Sequence, residues 1–243
     1  MTNALEIRNL VKAFGGLTAT DDLSFDVKEG QSVGLIGPNG AGKTTVFSQI
    51  MGEIKQTSGQ ISLFGKDLSN FPTAERIRLG VSRTYQIPRP FLDLSVVENI
   101  RVGLMPNSIW RMIIEGPSQD REAELALNVG FLEEDFEKPA SDLSMGDLRK
   151  LELARTIATG AKVLLLDEVF AGLTTGEIAQ ISTLVQNLRA KGFTLLMVSH
   201  DLPALDPLVD YVIAIERGRM ITAGTFSDVV NDDTVRASYL GHE

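Results

Sequence analysis

Cysteine is absent from the 243 residues, and histidine occurs only twice. That excludes a disulfide framework and a thiolate nucleophile, and it disfavours a Cys- or His-rich metal centre. No run of about eighteen apolar residues exists, the length a membrane-spanning helix requires. The opening Met1-Thr2-Asn3-Ala4-Leu5-Glu6 lacks the basic and apolar regions of a secretory leader, so a cytosolic chain is expected. Positive charge is also scarce: 23 Lys and Arg stand against 32 Asp and Glu, a net charge of −9. Nucleic acid demands a basic footprint, so it is not an expected partner. Direct adsorption to anionic lipid is disfavoured for the same reason, and membrane attachment should run through another protein. The acidic stretch Glu133-Glu134-Asp135-Phe136-Glu137 lacks the spacing of a metal loop and reads as a solvated loop or helix face.

What the chain does contain is Gly37-Pro38-Asn39-Gly40-Ala41-Gly42-Lys43-Thr44-Thr45, a match to G-x-x-x-x-G-K-[ST]. Glycines let such a loop curl into a concave nest of N–H groups aimed at an anion. A helix N-terminus immediately behind it adds partial positive charge. Lys43 is expected to reach the outer phosphates of a nucleotide and the Thr44 hydroxyl to ligate Mg²⁺. The flanks agree: Ser32 to Ile36 reads as a buried strand and Thr45 to Ile50 as a helix.

Other segments narrow the reading. Lys162 to Glu168 is an apolar strand ending in two carboxylates, and ligands in parallel sheets gather at strand C-termini. Asp167 is expected in the metal shell and Glu168 as the group that orients or deprotonates the attacking water. Thr194 to Ser199 is a further apolar strand, followed by His200-Asp201. Leu143-Ser144-Met145-Gly146-Asp147 opens an amphipathic helix, with Ser144 as its N-cap. Arg83-Thr84-Tyr85-Gln86 ends a strand before the proline-broken Ile87 to Phe91.

This combination resembles an ABC transporter ATPase, nearly end to end. The resemblance implies that Gly37 to Thr45 is the Walker A loop and that Gln86 contacts Mg²⁺ and senses the transporter. It makes Ser144 to Asp147 the signature segment, Asp167 and Glu168 the Walker B pair, and Ala171 to Thr174 the D-loop. It makes His200 the switch histidine at the γ-phosphate. Phe14 matches the aromatic that stacks on adenine, although a core or turn Phe at a strand end would read the same. The closest likeness is to the branched-chain amino acid importer (Liv-type) ATPases. It is carried by Phe14-Gly15-Gly16-Leu17, Gly80 to Gln86, Leu94 to Ile100 and the tail Val235 to Gly241. Lipopolysaccharide-export ATPases carry a related tail, so an exporter remains the alternative. A non-transport ABC ATPase is the other, though those usually add a coiled coil, a zinc element or a second cassette.

The same resemblance implies ATP and Mg²⁺ as cofactors and two transmembrane permease subunits as partners. A second ATPase subunit, either a copy or a related chain, would pair head-to-tail. Each ATP would then meet Ser144 and Gly146 of the opposite chain. A periplasmic or surface solute-binding protein would take part indirectly, and the chain would sit at the cytoplasmic face of the membrane. Four positions depart from the family pattern: Met145, Asp147, Val169 and Thr174. A carboxylate at Asp147 suits the helix dipole but repels a polyphosphate.

The expected fold class is α/β, a P-loop NTPase core with an N-terminal antiparallel β subdomain and an inserted helical subdomain. Residues 1–87 and 160–243 are assigned to the core and 88–159 to the helical insertion. Leu5 to Phe14, Leu23 to Val27 and Gly59 to Phe64 supply the antiparallel set. In the insertion, a capping box at Ser95 opens one helix, Asp120 to Val129 forms another and Gly146 to Thr159 a third. Ser108 to Ile114, with the single Trp110, is either core or a docking face. A hairpin turns at Arg217-Gly218 between two late strands.

Overall fold

The computed structural model describes residues 2–105 and 119–240. The Ser108 to Ile114 segment and Trp110 lie outside those residues. The first two strands, β1 (Asn3–Phe14) and β2 (Leu17–Lys28), pair antiparallel. Together with β4 (Ser58–Leu63) and the short β5 (Lys66–Asp67) they form a four-stranded sheet of order β2-β1-β4-β5. β2 starts well before the expected Leu23. Its first half, Leu17 to Asp22, carries threonines and two aspartates without clean alternation, and its pairing with β1 is interrupted by register shifts. Polar, bulged strands of this kind give a weak periodic signal.

A second sheet of six strands has the order β10-β9-β3-β8-β7-β6. Its strands are β3 (Ser32–Ile36), β6 (Val81–Arg83), β7 (Val163–Asp167), β8 (Thr194–Val198), β9 (Tyr211–Glu216) and β10 (Arg219–Gly224). From β9 to β6 every pairing is parallel, and β10 joins the edge as the antiparallel arm of the hairpin. The apolar runs work because both faces are covered. On β7, Val163 and Leu165 point to one cluster while Leu164 and Leu166 point to the other. The first cluster fills the space between the two sheets, where helix α1 (Lys43–Met51) inserts Val46, Phe47 and Ile50. The second receives α6 (Thr175–Ala190) through Ile181, Val185 and Leu188.

Helices α3 (Val96–Leu104), α4 (Gln119–Asn128) and α5 (Met145–Ala158) gather a third cluster around Val96, Ile100, Ala126, Leu151 and Ala154. The capping box at the start of α3 is formed: Ser95 accepts from the Glu98 N–H, and Glu98 accepts from the Ser95 N–H at 2.8 Å. A short helix not foreseen from the sequence, α2 (Thr73–Leu79), leads into β6 and buries Arg76. The Arg76 guanidinium satisfies the carbonyls of Gln49 and Ile50 at the end of α1.

Candidate functional site

The glycine-rich loop joins β3 to α1, and its glycines are required by contact as well as by conformation. Gly42 sits at φ +106°, and a Cβ there would lie 2.4 Å from the carbonyl oxygen of Ala19 on β2. The tip of the β9–β10 hairpin braces the loop from the side. Gly218 donates its N–H to Ala41 O at 2.9 Å and accepts the Asp21 N–H at 2.9 Å. Lys43, the first residue of α1, is buried, and its Nζ donates to Gly37 O at 2.6 Å and Pro38 O at 3.0 Å. Burial lowers the Lys43 pKa, opposed by the negative charges of Glu168 and Asp167.

Strands β7 and β8 deliver the acidic and imidazole groups. Asp167 ends β7 and is buried. Its Oδ2 accepts from Arg83 Nη2 at 2.6 Å, and its backbone N–H donates to Thr84 Oγ1 at 3.0 Å. Arg83 also reaches Glu53 at 2.8 Å and Ser48 Oγ at 3.0 Å, with Tyr85 stacked beneath its guanidinium. Glu168 takes a left-handed backbone, φ +50°, sparsely populated for a residue with a Cβ. Its carboxylate meets the end of β8: Oε2 accepts the His200 N–H at 3.2 Å, and His200 Nε2 lies 3.1 Å from Oε1.

The loop, Lys43, Glu168 and His200 share one cleft of about 380 Å³. Asn39 to Thr45 line its floor, Gln86, Glu168 and His200 one wall, and Phe14, Leu17 and Thr18 the other. Phe14 is half exposed at the end of β1, with Lys12 Nζ 4.7 Å from its ring centroid. Its openness to the cleft favours a binding face over a core role. Gly37, Pro38 and Asp167 do not line this cleft; Asp167 is engaged by Arg83 instead. Thr44 and Gln86 line the cleft and carry oxygen donors of the kind a small hard cation such as Mg²⁺ takes, while the Asp167 carboxylate stands outside it against Arg83.

Ser144 and Gly146 are not part of this cleft either. They stand at the N-terminus of α5, whose first turn is already engaged within the chain. Ser144 Oγ accepts from the Asp147 N–H at 3.1 Å and donates to Asp147 Oδ2 at 2.8 Å. The Asp147 carboxylate is drawn back onto Ser144 and onto Lys150 at 3.0 Å. Burial raises its pKa, but the hydrogen bonds from Lys150 and Ser144 outweigh that and leave it lowered. The Gly146 N–H donates to Glu177 Oε1 at 3.0 Å. Glu177 Oε2 in turn accepts from the N–H and hydroxyl of Thr174, the N-cap of α6. One carboxylate thus ties the signature segment to the D-loop position.

Sequence reasoning did not single out Arg83, Arg149, Glu152 or Glu177. Each is a charged residue whose importance comes from a partner far away in the chain. The one available signal was Arg83 itself, a guanidinium at the end of an otherwise uncharged strand. Arg149 and Glu152 sit on the buried face of α5, facing Tyr85 and Gln86. Burial raises the Glu152 pKa, against the lowering effect of the Tyr85 N–H and of Arg149.

Comparison with known proteins adds an independent line. A family model described as ABC transporter matches residues 20–171. The high-affinity branched-chain amino acid transport ATP-binding protein LivG of Salmonella typhimurium is 35% identical over 250 residues, covering 98% of this chain and 97% of that protein. The corresponding protein BraF of Pseudomonas aeruginosa is 34% identical over 248 residues, with 98% and 97% covered. Among solved structures, the ADP conformation of MJ1267, an ATP-binding cassette of an ABC transporter, superposes with a TM-score of 0.87 at 28% identity and full coverage of both chains. A nucleotide-free cassette from an ABC transporter gives 0.86 at 28% identity, covering 97% of this chain and 98% of that one.

Proposed function

This chain belongs to the ABC transporter family, and on that footing we propose that it is the ATP-hydrolysing subunit of an importer for branched-chain or related amino acids. The observation that carries the reading is the convergence of the phosphate-binding loop, Gln86, Glu168 and His200 on one cleft from four separate segments. The transport role is supported by full-length likeness to LivG and BraF, whose names state that solute class.

In this reading the loop N–H groups and Lys43 hold the β- and γ-phosphates, with Lys43 exchanging the carbonyls of Gly37 and Pro38 for phosphate oxygens. Phe14 stacks on the base. Thr44 and Gln86, joined by Asp167 on exchange of its Arg83 contact, would hold Mg²⁺, which would neutralise phosphate charge. Glu168 orients the attacking water and accepts its proton. His200, already within reach of that carboxylate, donates to the γ-phosphate and keeps Glu168 aimed into the cleft. Ser144 is exposed, as expected if it serves the nucleotide of a second ATPase subunit, whereas Gly146 is buried beneath Glu177 and would have to exchange that carboxylate for a phosphate.

Membrane partners follow from the motor having no path of its own: among the described residues no helix is long and apolar enough to cross a bilayer. Ile87, Phe91 and Leu92 are exposed beside a groove of about 310 Å³ lined by Tyr85, Arg89, Gly103, Glu152 and Arg155. We assign this groove, between Gln86 and the helical cluster, to a short helix of a permease subunit at the cytoplasmic face. Residues 88–159 would then act as the helical unit that relays motion from that contact.

Glu168→Gln tests the catalytic core of the proposal. It should keep MgATP binding and lose turnover by about 10²–10⁴-fold, the usual cost of removing a general base. Steady-state ATPase, measured with and without the membrane partners, decides it; near-wild-type turnover would sink the assignment of Glu168.

A further inference from the structure

We propose that Arg149 is a positioning residue for hydrolysis: it fixes Gln86 and Glu168 relative to each other and links both to the helix that begins at Ser144. The proposal rests on the reading of Gln86 and Glu168 as hydrolytic residues and adds the group that sets their geometry.

The guanidinium is 1% exposed, an unusual place for a permanent charge. Its fork spreads over partners from different parts of the chain. Nη1 donates to Tyr85 O at 2.6 Å and pairs with Glu152 at 3.0 Å. Nη2 donates to Gln86 O and, at 3.4 Å, to Glu168 O. Glu152 completes the arrangement by accepting the Tyr85 N–H at 2.8 Å through its other oxygen. Tyr85 and Gln86 lie beyond the end of β6, outside any ladder, so α5 supplies the hydrogen bonds that a strand partner would otherwise provide.

Glu168 carries the same logic. Its left-handed backbone is strained for a non-glycine residue and persists only when its surroundings over-determine it. Its N–H is held by Val198 O at 2.9 Å and its carbonyl by Arg149. Turning that peptide would swing the carboxylate away from His200. A planar guanidinium can address carbonyls on two diverging segments at once, whereas an ammonium concentrates its donors at one point. Movement of α5 would therefore carry Gln86 and Glu168 together.

The test compares Arg149→Lys with the double variant Arg149→Met plus Glu152→Gln, which avoids leaving a buried unpaired carboxylate. Full-length protein is assayed for kcat, KM for ATP, direct binding of a fluorescent ATP analogue, and thermal midpoint. The expected result is a fall in kcat of about 10–100-fold, the scale of a roughly 1 Å misplacement. KM and analogue affinity should stay within about threefold, because the phosphate-binding loop is untouched. A folded variant with wild-type kcat overturns the proposal. So does a kcat loss matched by equal loss of ATP affinity, which marks general disruption. If Glu168→Gln abolishes turnover while Arg149→Lys retains it, the positioning role alone fails. If Glu168→Gln is itself active, the underlying hydrolytic reading falls first.

Discussion

At the scale of single residues, the site is a set of charges that would be costly if any one stood alone. Arg83 and Asp167 are both nearly inaccessible, with side chains 4% and 2% exposed. Each is tolerated because the other is present and because Ser48 and Glu53 take the Arg83 Nη1 donors, while the buried Nε is left without a partner. Removing one partner strands the other charge. Arg83→Ala is therefore expected to destabilise the fold by about 3–5 kcal/mol, read from urea unfolding monitored by circular dichroism. A change under about 1 kcal/mol would show that water reaches Asp167 freely. Asp147 illustrates a finer point. Its charge stands in the first turn of α5, where the carboxylate is shared with Ser144 and Lys150, which would soften the repulsion expected toward an incoming polyphosphate.

At the scale of elements, the segment between Gln86 and α3 shows how a stretch without regular structure is still well defined. Asn99, fully buried on α3, accepts the Phe91 N–H at 2.9 Å and donates to the carbonyls of Phe91, Leu94 and Ser95. Pro88 and Pro90 remove backbone freedom on the other side. Arg155 of α5 adds a bond to Arg89 O at 2.6 Å and packs its guanidinium 4.8 Å from the Phe91 ring. Asn99→Leu would keep the volume but leave several buried backbone groups unpaired, at a cost of about 1–3 kcal/mol. The accompanying signature is local: amide hydrogen exchange should accelerate at 91–95 while the strands of the central sheet keep their protection. Uniform acceleration across the chain would mean that Asn99 supports the whole fold and not this segment.

At the scale of the molecule, the six-stranded sheet is the frame from which four segments reach one cleft, and the helical cluster meets it through Tyr85, Gln86 and α5. That arrangement makes the exposed apolar residues beside the joint informative. Phe91 and Leu92 are 47% and 55% exposed. Phe91→Ala with Leu92→Ala is expected to leave ATP binding by the isolated chain within about twofold, since neither side chain lines the cleft. In the assembled transporter the same change should separate ATP hydrolysis from solute uptake. Measuring both in proteoliposomes checks this, and single cysteines placed at 87–94 provide the complementary crosslinking assay in a cysteine-free background. Coupled uptake at wild-type yield per ATP, with no crosslink to a permease, would move the docking surface elsewhere.

Sequence by itself determined the parts of this protein whose chemistry is local. A phosphate-binding loop between a strand and a helix, two carboxylates at a strand end, a histidine after the next strand and a capped α5 are contiguous motifs, and each appears where its residues placed it. The parallel sheet was legible for the same reason, because strands buried on both faces carry unbroken apolar runs. Tertiary structure alone decided which distant groups meet. The bridge from Arg83 to Asp167 spans 84 residues, that from Arg149 to Gln86 spans 63, and that from Gly146 to Glu177 spans 31. No periodicity encodes such pairs, because a buried charge reveals its partner only once packing has excluded water from both.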